Sequence, residues 1–448
     1  MKMVIYTRVR ISIYYCICCE YFLSSIHMYI GFWLRGYKCG SGKLFYAHGD
    51  IYEGEFDCDL ENGYGKYLSA TGVLYRGHFE TGLMHGPGIM KEEDGSVYEG
   101  EFFQGEKHGT GVMLFSSGAH YEGGWKEGKM SGEGTLTSEQ EVYVGQWKDG
   151  CRHGKGLVTY ADGGSYEGEF YRDDRHGQGV LRTATGDIYE GSFEQDVYHG
   201  EGRWQGSQGD VYEGSWAGGR MHGMGRMLHI NGDVYEGQYV AGVVEGRGRL
   251  TCALSGACYD GDWVGGVRQG MGVFTDGMGD VYEGSWVEDK MHGTGRHVRA
   301  HDRGIYIGEW REGEKSGKGT FTYSPHEQYR GDFLHDKRHG FGTYEYPDGS
   351  VYAGGWRKGK RHGVGTLKEG EVTIRGEWKV GEFVRHRLLE KGEDEDGIDY
   401  SPTGGGERGV ASIGLGEDGA AIKRPVLKHC YSSVSLFDAS DVNIIQQS

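Results

Sequence analysis

Around Tyr52 the chain alternates: Tyr52, Gly54 and Phe56 fall on one face of an extended segment, and Glu53 and Glu55 fall on the other. The same Tyr-x-Gly-x-aromatic pattern opens at Tyr98, with Gly100 and Phe102. It recurs sixteen times at intervals of 22 to 24 residues, from Tyr29 to the last copy with Gly376 and Trp378. Fifteen copies open with tyrosine; the sixteenth opens with Ile374. Eleven and thirteen residues after each tyrosine stand two further glycines, Gly109 and Gly111 in the unit that starts at Tyr98. The sixteenth unit lacks this pair, because Arg385 occupies its first position. Histidine precedes the first of these glycines in nine units, as His108 does.

Each unit reads as a β-hairpin: a strand, a Gly- and charge-rich turn such as Asp149 to Arg152, then a second strand carrying His-Gly-x-Gly. Glycine weakens a strand unless something must approach closely, so the missing side chains are expected to admit an aromatic ring from a neighbouring strand. The histidines are expected to make one structural hydrogen bond per hairpin. With 5 prolines in 448 residues and no room for a helix within a unit, the fold class is all-β. The expected architecture is an elongated, single-layer antiparallel meander of stacked hairpins over residues 29–386. Sixteen hairpins at roughly 4.8 Å per strand would span about 150 Å. Residues 1–28 and 387–448 form irregular extensions. A fixed short period means one small unit stacked many times, which directs the search for function to a surface.

These positions resemble the MORN repeat, whose pattern is Tyr-Glu-Gly-x-aromatic, a turn, then His-Gly-x-Gly. The full Tyr-Glu-Gly triplet stands eight times, at Tyr52 and Tyr98 among others. The resemblance covers residues 29–386. It implies an elongated scaffold for cytoskeletal or membrane-associated assemblies, with flagellar or ciliary partners in some members and acidic phospholipids in others. Some members carry a methyltransferase or lipid-kinase domain beside the repeats; the C-terminal extension here is too short and polar for either.

Glycine, at 86 residues, would suggest disorder were it unphased, but it is locked to the period. Nine of ten tryptophans occupy the fixed aromatic position, so the aromatics are read as structural. A net charge of −18 argues against nucleic acid as a partner, which needs a basic footprint. Cations do gather near turns, most densely at Arg357, Lys358, Lys360 and Arg361. Stacked turns would align them along one edge, where they could meet an acidic phospholipid surface; the plainer reading is that wet turns hold lysine and arginine. Nine cysteines without a recurring pair do not form a disulfide framework, which favours a reducing compartment.

Residues 1–28 read as an extension or β-cap, as an anchor acylated at Cys16, Cys18 and Cys19 beside a basic flank, or as an imperfect signal segment. Residues 387–448 are acidic from Glu390 to Asp399 and then glycine-rich, a composition typical of disorder. No catalytic constellation, zinc signature, nucleophile elbow or phosphate loop stands in the chain, so neither an enzyme nor a cofactor is expected. Equivalent histidines about 10 Å apart cannot share one ion. Two functions stay open. One is a cytoplasmic scaffold at the cytoskeleton, cilium or flagellum that binds protein partners and whose open sheet edges invite pairing of two copies. The other is a peripheral membrane module. Irregular units between Tyr235 and Ser316, where Glu245, Gln269 and Ser316 replace the histidine, reflect drift or a partner site.

Overall fold

The computed structural model describes residues 27–386. They form thirty-two strands, β1 to β32 in chain order, and no helix. The described residues fall into two compact units that meet at Arg220 and Met221. The first holds β1 (Met28–Leu34) to β17 (Val211–Ala217); β18 (Arg220–Leu228) opens the second, which ends with β32 (Glu382–His386). Within each unit every strand pairs antiparallel with the next in sequence. All-β, single-layer meander is therefore the architecture found.

The hairpin of β7 (Val97–Phe103) and β8 (Glu106–Leu114) shows the design. Its turn is only two residues, Gln104 and Gly105, both at positive φ as the right-handed twist of the flanking strands requires. In the same way Asp149 and Gly150 make the turn anticipated over Asp149 to Arg152, and Cys151 already begins a strand. Along β7, Tyr98 and Phe102 are buried while Glu99 and Glu101 are exposed. The face carrying the rings is called inner below, and the opposite face outer.

The inner tyrosine lies along its own strand. Tyr52 is fully buried, and a Cβ on Gly54 would lie 2.5 Å from its hydroxyl and 2.6 Å from the Gly65 Cα. One ring thus clears both glycines: the one two residues on in its own strand and the one opposite. The sequence anticipated a ring from a neighbouring strand; only Gly65 receives it that way. The first glycine of His-Gly-x-Gly has a separate cause. Gly109 sits at φ 62° where the register slips between Gly100 and Glu101, a bulge that an L-residue would strain.

That bulge explains why the ring carries a hydroxyl. Tyr98 Oη donates to the Glu101 carbonyl at 3.0 Å, beside the slipped register. The same bond, from each opening tyrosine to the carbonyl three residues on, recurs at Tyr52, Tyr143, Tyr259 and Tyr352 at 2.7–3.1 Å. Each ring also meets two aromatics edge to face: Tyr52 lies 5.1 Å from Phe56 and 4.9 Å from Phe79 of the next hairpin. Tyr75 continues to Phe102, and Tyr98 to Trp125. Each such pair contributes about 0.5–1.5 kcal/mol beyond its buried area.

Neighbouring hairpins are also tied at both sheet margins. The second turn residue donates its N–H to a strand carbonyl of the preceding hairpin, as Gly105 does to Met84 and Gly359 to Arg338, both at 2.9 Å. Connecting loops stack at the other margin, where the buried Asp50 accepts from the Ala70 N–H at 2.9 Å.

Two outcomes follow. Tyr98→Phe should cost about 1–2 kcal/mol in urea unfolding, because it leaves the Glu101 carbonyl short of a donor. Burial raises the pKa of the inner tyrosines, to about 12 at Tyr121, Tyr259 and Tyr352. The folded state therefore holds the proton that the unfolded chain loses near pH 10. Stability should be full below that pH and fall as pH rises towards 12, which denaturation at stepped pH would show; a stability flat from pH 9 to 12 would contradict it.

Candidate interaction surface

The inner face is occupied by its own packing. In several hairpins the strand residue opposite the second aromatic is a cation laid over the rings. Arg152 sits 5.4 Å from the Phe170 centroid, Arg268 4.6 Å from Trp286 and Arg338 4.4 Å from Trp356. Their heads reach the next hairpin: Arg338 donates to the Gly359 carbonyl at 2.8 Å, and Arg268 Nε meets Asp289 at 2.8 Å. Where the turn ends in aspartate (Asp59, Asp173, Asp196, Asp289 or Asp336), the preceding hairpin supplies Lys38, Arg152, Arg175, Arg268 or Lys315, whose backbone N–H the carboxylate accepts. Arg152, Arg175 and Arg338, though close to turns in the chain, are thus inner-face residues that join neighbouring hairpins.

This divides the anticipated basic cluster. Arg361 lies 5.5 Å from the Tyr352 ring and donates to the Gly381 carbonyl at 3.4 Å, so it belongs to the inner face. Arg357 and Lys360 are partners across the turn, Lys358 is a turn residue at positive φ, and all three are exposed. Cys16, Cys18 and Cys19 lie outside the described residues.

The histidines do not share one bond. His222 Nδ1 accepts from the Ala241 N–H at 3.5 Å, His85 and His199 approach Glu80 and Glu194 at 3.3 Å, and Nδ1 of His292 and His362 has no partner. His108 instead packs its ring 5.5 Å from Phe103. The expectation of a uniform histidine bond fails because the ring reaches the next turn at His222 but a residue of its own hairpin at His85, His108 and His199. Glu245 and Gln269 resolve part of the irregular stretch: they accept from the Gly265 and Glu288 N–H groups at 2.8 and 3.0 Å, the kind of bond made by His222. Among the described residues no group of three His, Cys, Asp or Glu is placed to hold a metal, and no helix is long and apolar enough to cross a membrane.

The outer face varies along the chain. In the first unit the residue after the tyrosine is repeatedly acidic, at Glu53, Glu99, Glu122, Glu167, Glu190 and Glu213. The last four hairpins of the second unit carry Ile307, Arg330, Ala353 and Arg375 there instead. With exposed Lys337, Arg357, Lys358, Lys360 and Lys379 they make that end of the outer face basic. A shallow groove of about 450 Å³ crosses it, lined by Lys318, Thr320, Arg330, Phe341, Thr343 and Ala353. Its floor is backbone, because Gly319, Gly331, Gly342 and Gly354 stand in one register row. Sequence reading found the turn cations but missed Arg330 and Arg375. Their signal was the loss of glutamate at a position acidic in many earlier hairpins.

A stack of near-identical hairpins, each completed by its neighbours, defines a β-repeat protein. The MORN repeat model matches in consecutive copies from residues 29–51 to 352–368, and the chain belongs to the MORN-repeat family. The sixteenth unit falls beyond the last match but still forms a hairpin, β31 (Val372–Lys379) with β32. No curated protein matches the chain. Among solved structures, it is similar to the TCP domain of SAS-4 (dCPAP) of Drosophila melanogaster, solved with a proline-rich motif of Ana2 (dSTIL). The identity is 11% and the TM-score 0.17, over 45% of this chain and 84% of that one. It is also similar to a streptogramin B lyase structure, at 12% identity and a TM-score of 0.11 over 68% and 87% of the two chains. At these TM-scores neither likeness bears on fold or function.

The division of the cations is testable by stability. Arg338→Ala should cost about 1–2 kcal/mol through lost ring contact and a lost carbonyl bond. Arg357→Ala should stay within about 0.5 kcal/mol, as exposed substitutions do. Equal losses would contradict the assignment.

Proposed function

We propose that this protein is a non-enzymatic scaffold that organises cytoskeletal or flagellar assemblies through its outer face. The single observation behind this reading is that the rings, glycines and tyrosine hydroxyls are used up on the inner face. The outer face repeats its side chains at every second strand, about 9.6 Å apart, and apart from the acceptors that hold a bulge amide, such as Gln146, Asp262 and Glu309, the backbone does not use them. A lattice of that kind can change its chemistry hairpin by hairpin without loss of fold, as Glu99, Arg330 and Ala353 illustrate at equivalent positions. Repeat proteins built by stacking small units use the extended surfaces so formed to bind partners. A tagged copy expressed in its own cell should mark cytoskeletal or ciliary structures and resist detergent extraction. A uniform, fully extractable pool would contradict the reading.

One observation favours a second reading, a peripheral module for acidic phospholipid. Arg357, Lys358 and Lys360 are exposed together, beside Lys337 and Lys379, and each cation near an anionic surface contributes about 1 kcal/mol. Flotation on vesicles containing phosphatidylserine should fall when Arg357, Lys358 and Lys360 are neutralised. Binding that survives these changes would remove the patch from the account.

A further inference from the structure

We propose that the acidic segment Glu390 to Asp399 folds back over the basic end of the outer face and occupies the groove at Arg330 and Phe341. The groove runs across the strands, with its floor along a row of paired glycines. That row continues past the groove: Gly354 pairs with Gly365, Gly365 with Gly376, and Gly376 with His386. His386 is the last residue of β32, so the chain leaves the sheet at the end of the very row that floors the groove.

Length agrees with this path. Arg330 lies on β27 (Glu327–Leu334), five strands from β32, which is about 24 Å. Residues 393 to 396 lie seven to ten residues beyond His386, a reach of up to about 23–36 Å. The segment carries Glu390, Glu393, Asp394, Glu395, Asp396 and Asp399 against one cation, Lys391. Along that row it would pass Arg375 and reach Arg330, with Lys337, Arg357 and Lys360 at the turn margin beside it, while the carboxylates on the same stretch, Asp332 and Glu377, are already paired with Lys318 and Arg385. Among the described residues Arg330 has no ion pair, whereas Lys318 at the groove wall is already taken by Asp332 at 2.5 Å. Phe341, 62% exposed, gives the groove an apolar wall against which backbone or Ile398 can pack. Docked there, the segment covers the cations that an anionic partner would use, so it acts as an internal competitor for that face.

The test uses the full chain. Carbodiimide joins a lysine amine to a carboxylate only where the two already touch. Treatment should yield intramolecular links between Lys337, Lys358 or Lys360 and the carboxylates of residues 390–399. These links should fall several-fold in 1 M salt, where screening acts within about 3 Å. Benzoylphenylalanine replacing the exposed Phe341 should photocrosslink to the same peptide. That adduct should be lost in the variant carrying Glu393→Gln, Asp394→Asn, Glu395→Gln and Asp396→Asn. The proposal is overturned if neither reagent links the two regions, if the links join two separate chains, or if neutralising the segment leaves the yield unchanged. Loss of vesicle binding alone would sink only the phospholipid reading, because both crosslinks are scored without lipid.

Discussion

One contact sets the terms for the rest of this fold: a tyrosine ring laid flat over two glycines, with its hydroxyl on a carbonyl beside a bulge. The ring fits only because Gly54 and Gly65 leave backbone bare, and in turn it fills the space their missing side chains create. A hairpin alone could not bury such a ring. Edge-to-face contacts with the aromatic of its own strand and that of the next hairpin enclose it, which is why the unit exists only as a stack.

Coupling between hairpins is correspondingly local. Turn amides bond to the preceding hairpin, connecting loops stack, and cations such as Arg152 and Arg268 lie over rings while holding the next turn's aspartate. The aspartate turns pair with lysine or arginine one hairpin earlier, whereas glycine turns tolerate Met84, Met130 or Tyr198 at that position. Neighbours are thus matched by charge, and a shifted pairing would set Asp289 against an apolar residue. Function is left to the outer face, where the structure calls only for acceptors at the bulge, such as Gln146, Asp262 and Glu309, and where the residue after the tyrosine drifts from glutamates in the first unit to Arg330 and Arg375 near the end of the second.

Much of this was legible in the sequence. Period-2 alternation at Tyr52 to Phe56 gives strand and inner face, and the fixed glycines give the close approach. Four things were not. The source of the ring over Gly54 depends on a side-chain rotamer, which spacing does not encode. The histidine's partner lies in the next turn for His222 but within the same hairpin for His85, His108 and His199, so one residue type makes several contacts. The face of Arg361 was hidden by its neighbours: Arg357, Lys358 and Lys360 surround it in sequence, and only the two-residue turn places it opposite Trp356 and inward. The basic end of the outer face was obscured in another way, since Arg330 and Arg375 are 45 residues apart and are brought onto one row of the same face, four strands apart, only by stacking.

The central claim is that ring and glycine are one device, and a double-mutant cycle between Tyr98→Ala and Gly111→Ala in the full chain tests it directly. Gly111→Ala alone should cost about 1–3 kcal/mol, because its new methyl meets the Tyr98 ring. In the Tyr98→Ala background that cost should largely vanish, giving a coupling of comparable size. If the two losses simply add, the glycine serves some need other than the ring, and the account of the repeat is wrong.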